Sequence, residues 1–136
     1  MGSVQTKKSE TWIVGADVVT QNRRRDVVRA NVRIVEGRIA EITTKSAPRS
    51  GKSSVVNAEG MTLLPGFVQG HVHLCQTLFR NQADDLELLD WLSKRIWRME
   101  AAHTAETLAV SAKAGIHELL SSGTTCILDM GTGSGA

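Results

Sequence analysis

Between residues 11 and 64 the chain runs in short, β-branched, alternating segments. Trp12-Ile13-Val14 and Asp17-Val18-Val19-Thr20 predict two short strands separated by Gly15. Asn31-Val32-Arg33-Ile34-Val35 alternates polar and apolar with period two, as a half-buried strand does. Glu36-Gly37 offers a tight turn, and Arg38-Ile39-Ala40-Glu41-Ile42 is the return strand of a hairpin. Residues 46–54 hold Pro48, Gly51 and four serines, which reads as a loop. Val55-Val56-Asn57-Ala58 and Met61-Thr62-Leu63-Leu64 predict further short strands around Glu59-Gly60. This half of the chain is a small all-β unit.

After residue 65 the period changes. Gly66 to His73 is a short apolar run with a polar end. Asp84-Asp85 is read as a helix start, and Leu86, Leu89, Leu92 and Ile96 recur at helical spacing as one apolar stripe. Thr104 is a predicted N-cap, with Glu106 in the first turn, where the helix dipole favours an anion. Leu108, Ala112, Ile116, Leu119 and Leu120 form the expected buried stripe of that second helix, and Gly123 its left-handed end. Thr124 to Met130 is apolar and β-branched, hence a strand. Strand, helix, helix, strand is the order of an α/β fold with a parallel sheet. Residues 1–10 are expected to be a disordered start and 131–136 a flexible Gly/Ser end, leaving working units at 11–64 and 65–130.

Composition changes this picture little. Hydrophobic residues are 41% and charged residues 22% of 136, ordinary for a globular domain. A net charge of +2 gives no argument for nucleic acid or a membrane surface. Arg23-Arg24-Arg25 is too small a footprint for nucleic-acid recognition and reads as a solvated turn. Cys75 and Cys126 belong to no C-x-x-C pair, so each is expected to be a free thiol. The polar start has no secretory h-region, and no run approaches the ~18 apolar residues of a membrane span. A cytoplasmic location is the expectation.

The candidate chemistry starts at His71-Val72-His73. Side chains at i and i+2 on a strand point to the same side, so both imidazoles can face one ligand. Neutral imidazole suits zinc and other borderline divalent metals. Alone, H-x-H is a weak signal, and a purely structural pair is the blander reading. The flanking run from Leu63-Leu64-Pro65-Gly66 through His73-Leu74 resembles the first barrel strand of the amidohydrolase superfamily. Thr77 to Leu86, Leu89-Asp90-Trp91-Leu92, Ile96-Trp97, and Ser122-Gly123-Thr124-Thr125 with Asp129-Met130 are similar to its methylthioadenosine/S-adenosylhomocysteine deaminase and triazine chlorohydrolase branch. The resemblance covers about residues 11–131.

That resemblance implies the N-terminal part of a (β/α)8 metal-dependent hydrolase barrel, preceded by part of a small β-sandwich. It implies a divalent metal, zinc or alternatively iron, on His71 and His73, and hydrolysis of a C–N or C–Cl bond of a purine, pyrimidine or triazine ring. It also implies substrate-binding roles for Trp91 and Glu100. The alternatives are core packing for Trp91 and a plain surface position for Glu100. His103 and His117 are weaker metal candidates. Asp129 would support the site or cap backbone, and Cys75 would pack. A whole barrel needs about 250 residues. The catalytic and remaining metal-binding residues the family implies would therefore lie beyond this chain. The expected partners are a small-molecule substrate in the complete enzyme and either the remainder of the barrel or a second copy. The competing reading is a non-catalytic piece that acts only in assembly with a partner chain.

Overall fold

The structure, a computed structural model, describes residues 9–46, 53–82 and 85–131. The chain divides into two compact units, Met1–Pro65 and Gly66–Ala136.

The first unit is one five-stranded sheet. Strands β1 (Glu10–Val19), β2 (Val27–Val35), β3 (Arg38–Thr43) and β4 (Ser54–Asn57) lie in the order β3-β2-β1-β4, and β5 (Thr62–Leu63) also pairs with β1. The β1–β2 and β2–β3 ladders are antiparallel, whereas β4 and β5 run parallel to β1. Ala16, Val18, Ala30, Val32 and Ala58 form the core, with Ile13, Val28, Ile34 and Leu63 against it. The hairpin turn falls at Glu36-Gly37, both at positive φ (51° and 74°), which is what a two-residue turn between twisted strands requires.

Two expectations change here. Trp12-Ile13-Val14 and Asp17 to Val19 belong to one strand rather than two. Gly15, at φ 80°, is the extra residue of a bulge: Ile13 pairs with Val32 and Ala16 with Ala30, so β1 advances three positions while β2 advances two. The Gly15 N–H donates to Asn31 Oδ1 at 2.9 Å. The bulge brings Ile13 onto the core face with Ala16 and Val18. Trp12 then faces the other way, beside Arg33, whose guanidinium lies 6.0 Å from the ring centroid. Glu10 is a strand residue rather than part of a disordered start, because its carboxylate accepts from Arg33 Nε at 2.7 Å and from Trp12 Nε1 at 3.0 Å. Residues 1–8, most of the expected 46–54 loop, and 132–136 lie outside the described residues.

In the second unit β6 (Phe67–Val72) and β7 (Thr124–Asp129) form a parallel pair, as the strand–helix order predicts. The connection between them holds a 3-10 helix at Leu74–Phe79, α1 (Leu88–Trp91), a π-helical turn at Leu92–Ile96, α2 (Trp97–Ala101) and α3 (Ala105–Ser121). Thr104 caps α3 by accepting from the Thr107 N–H at 3.2 Å, and Gly123 follows its end at φ 88°. No described helix is long and apolar enough to cross a membrane.

Helix details differ from expectation in three ways. The 3-10 helix has no counterpart in the periodicity reading. The first α-helix starts at Leu88 rather than at Asp84-Asp85, of which Asp84 lies outside the described residues. Asp85 sits at φ 60°, incompatible with a helix start, and Glu87 caps instead by accepting from the Leu89 N–H at 3.1 Å. The apolar stripes are also rotated. Ile96 is buried, but Leu86 and Leu89 are exposed. A π turn adds one residue, offsetting the positions before it by about 100° from those after it. On α3 the buried line runs through Ser111 and Gly115, so Ile116 and Leu120 face outward while Leu108, Ala112 and Leu119 stay half-buried. Small side chains explain the shift. A Cβ on Gly115 would meet Thr77 Oγ1 at 2.6 Å, so only glycine lets α3 lie this close to the 3-10 helix.

Candidate metal centre

His71 lies in β6 and His73 one residue beyond its end. The two-residue period brings the rings to the same side. Their Nε2 atoms are 3.0 Å apart, with ring centroids 5.0 Å apart and planes inclined by 56°. Two nitrogens each about 2.0–2.1 Å from one tetrahedral zinc sit roughly 3.3–3.4 Å apart, so the pair at 3.0 Å has only to open by a few tenths of an ångström to share a cation. His71 is exposed and His73 half-buried. Among the described residues, His73 Nδ1 is the buried side-chain nitrogen or oxygen without a hydrogen-bond partner. The backbone on either side is pinned to β7: Met130 N–H donates to Val72 O at 2.7 Å, and Leu74 N–H donates to Asp129 Oδ1 at 3.2 Å. Asp129 therefore caps backbone at the strand end.

A cleft of about 450 Å³ opens beside the histidines, lined by His71, His73, Gln76, Arg80, Trp91 and Ile96 among others. Trp91, half-buried at the end of α1, thus shares the cleft with the histidine pair. Glu100, half-buried in α2, is not among the cleft's lining residues. It stands beside the pair: one donor atom each of His73, Cys75 and Glu100 lie within 4.8 Å of one another. Glu100 Oε1 accepts from Gln76 Nε2 at 2.8 Å and from Cys75 Sγ at 3.5 Å.

Sequence reasoning missed Gln76 and Arg80 and gave Cys75 as a packing residue; Cys75 is buried. Side chains three apart on a 3-10 helix eclipse. Gln76 therefore follows His73 on the cleft side, a pattern visible only once the 3-10 helix is known. Arg80 makes a two-point pair with Glu118 on α3, at 3.0 and 2.7 Å. Those hydrogen bonds hold the Glu118 carboxyl below its ordinary range and raise the Arg80 guanidinium further.

The other histidines do other work. The Cys75 carbonyl can only accept, so His103 Nε2 carries the proton in their 2.7 Å bond, and Nδ1 faces Thr107 Oγ1 at 3.0 Å. Both nitrogens are thus engaged, and the ring stacks on Phe79 at 5.0 Å. His117 is exposed on α3. Cys75 is buried and Cys126 exposed, and neither is in a disulfide.

Comparison with known proteins adds three observations. A model of the amidohydrolase family matches residues 62–135. The 5-methylthioadenosine/S-adenosylhomocysteine deaminase of Caldicellulosiruptor saccharolyticus is 37% identical over 121 residues, covering 87% of this chain and 28% of that protein. The 5'-deoxyadenosine deaminase of Methanobrevibacter smithii is 46% identical over 103 residues, covering 76% of this chain and 23% of that protein. Among solved structures, an adenosine deaminase from Xanthomonas campestris with bound zinc superposes with a TM-score of 0.75 at 30% identity. That match covers 89% of this chain and 28% of the other. The chain spans well under a third of the length of each protein it matches here.

Proposed function

The chain belongs to the amidohydrolase family, and from that premise we propose that it forms the N-terminal portion of a metal-dependent aminohydrolase acting on adenosine-like nucleosides. Its fold is consistent with an N-terminal part of the amidohydrolase barrel. The observation that carries the reading is the 3.0 Å approach of His71 Nε2 and His73 Nε2 at the C-terminal end of a parallel strand, the end where barrel active sites are built. The deaminase names of the relatives support the reaction class.

In this reading His71 and His73 hold a divalent metal, zinc by analogy with the Xanthomonas campestris deaminase. A metal there supplies Lewis acidity and an activated water near neutral pH. The protein's own residues orient the substrate. Trp91 offers an apolar face to a purine ring in the cleft. Glu100 offers a carboxylate that can accept from two neighbouring ribose hydroxyls. Gln76 holds one of its oxygens and so fixes the carboxylate's orientation. The metal ligands and proton-transfer groups the reaction still needs come from the remaining length that the relatives carry.

Zinc titration by calorimetry tests the ligand assignment: His73→Ala removes binding, whereas His117→Ala leaves it. Ammonia release from adenosine, 5'-methylthioadenosine and S-adenosylhomocysteine, measured with the chain joined to that remaining length, tests the reaction. Zinc binding that survives loss of both His71 and His73 would sink the assignment.

A second reading rests on the exposed Leu88, Leu89, Trp97 and Leu120. These favour a piece that is stable only in assembly, with the rest of a barrel or with a second copy. Size-exclusion chromatography decides it, because a compact monomer with a sharp thermal transition contradicts assembly.

A further inference from the structure

His73 has two ring nitrogens, and only one is needed toward His71. A buried thiol, Cys75, and the Glu100 carboxylate stand near the ring. The donor atoms of His73, Cys75 and Glu100 already lie within 4.8 Å of one another, and Cys75 Sγ and Glu100 Oε1 are at 3.5 Å. We propose that His73, Cys75 and Glu100 form a second cation position, an N,S,O site for a borderline or soft divalent metal such as zinc, cobalt or cadmium. It shares His73 with the position proposed above but takes different partners, and since a neutral imidazole offers a single lone pair the two positions are filled alternatively.

Three features support it. The ligand set is mixed and soft enough: thiolate and imidazole select borderline metals, and three protein ligands plus water make an open tetrahedral site. The frame is rigid. The Cys75 carbonyl accepts from Ser111 Oγ at 3.0 Å and from His103 Nε2 at 2.7 Å, so the residue's backbone is held from α3 and from the turn before it. Gln76 braces Glu100 from outside, in the way outer-shell partners orient metal ligands. His73 Nδ1 supplies the independent sign of an unfilled interaction, being buried without a hydrogen-bond partner.

Closing the site requires donors that lie within 4.8 Å of one another to draw together. A metal at about 2.0–2.3 Å from each donor draws the donors to roughly 3.3–3.8 Å separations. Cys75 and Glu100 are within that range already. On binding, the Cys75 Sγ–H proton leaves to solvent and the sulfur becomes a thiolate ligand. The cation would then hold His73 and Glu100, so this position and substrate binding at Glu100 exclude each other.

Titration of the chain with Co2+ under reducing conditions tests the site, because a thiolate ligand to cobalt produces a charge-transfer absorption in the near ultraviolet. The expected result is a saturable band at one equivalent. It is abolished by Cys75→Ser and retained in Cys126→Ser and His71→Ala. Glu100→Gln keeps the buried thiol in place and guards against misfolding of the serine variant. It should weaken cobalt binding by at least about tenfold, the lower end of what losing even an outer-shell partner costs. The proposal is overturned if the unmodified chain shows no band, if the band persists in Cys75→Ser, or if Glu100→Gln binds cobalt unchanged. Cobalt binding that lacks the band and depends on His71 would overturn this site while leaving the histidine-pair reading intact.

Discussion

Val32 in the β unit is 2% exposed, whereas Leu89 on α1 is 66% and Leu120 on α3 is 61% exposed. The β unit closes a core around Ala16, Val18, Ala30, Val32 and Ala58. In the second unit Cys75 and Ile96 are the buried hydrophobics among the described residues. The chemistry sits in the less closed unit. Two parallel strands leave two edges and two faces to be covered, and a chain spanning 28% of its Caldicellulosiruptor saccharolyticus relative supplies few elements to cover them. One sheet holds its shape through its own side chains, while the other holds the candidate ligands through backbone caps and small-residue contacts.

That contrast can be broken by substitution. The largest effect is expected at Val32→Ala, about 1.5–3 kcal/mol for a fully buried valine, read as a shift of the urea midpoint. Leu120→Ala should stay within about 0.5 kcal/mol, as exposed positions do. Equal losses at the two sites would erase the distinction. Gly115→Val comes next, at about 1–3 kcal/mol, because overpacking pushes α3 off Thr77 and Leu74. Amide exchange on α3 should accelerate in this variant while β1 and β2 stay protected. Gly15→Ala follows at about 1–2 kcal/mol for an L-residue held at positive φ, measured by thermal denaturation followed on the β unit's signals.

The smallest effect concerns pH. The hydrogen bonds from Arg33 and Arg80 lower the Glu10 and Glu118 carboxyls. Their contribution is therefore present above the unfolded-state carboxyl value, about 4.3. It is lost as pH falls through the folded values. Acidification should lower the urea midpoint, and Glu118→Gln should flatten that dependence for the second unit. Salt should weaken the Arg80–Glu118 pair more than the Arg33–Glu10 pair, since its side chains are more exposed, 58% and 53% against 38% and 29%.

Much of this was legible in the residues. Period two marked β2 and β3, and Glu36-Gly37 marked the turn between them. Thr104 and Gly123 bounded α3, and the run around His71-Val72-His73 carried the family resemblance. What escaped was phase. Gly15 looked like a break because a bulge and a chain break carry the same glycine. The π turn at Leu92–Ile96 leaves no mark in composition, so Leu89 was placed on the wrong face. Ser111 and Gly115 were passed over because apolar stripes are sought in large side chains, while close helix contacts are made by small ones. Gln76 came into view only when the 3-10 helix and the bond to Glu100 placed it beside His73, and Cys75, read as packing, gained a polar neighbour in Glu100.

The bulge at Gly15 also bears on how β1 tolerates changes of length. Since the glycine is the one surplus residue between two paired positions, its removal leaves Ile13 two places before Ala16, still on the core side of an uninterrupted strand. A bulky replacement keeps the surplus residue but resists the backbone turn that absorbs it, which throws Trp12 and Ile13 out of step with everything downstream. A chain lacking Gly15 should therefore melt at a higher temperature than one carrying Gly15→Val: at this position a missing letter is read more faithfully than a wrong one.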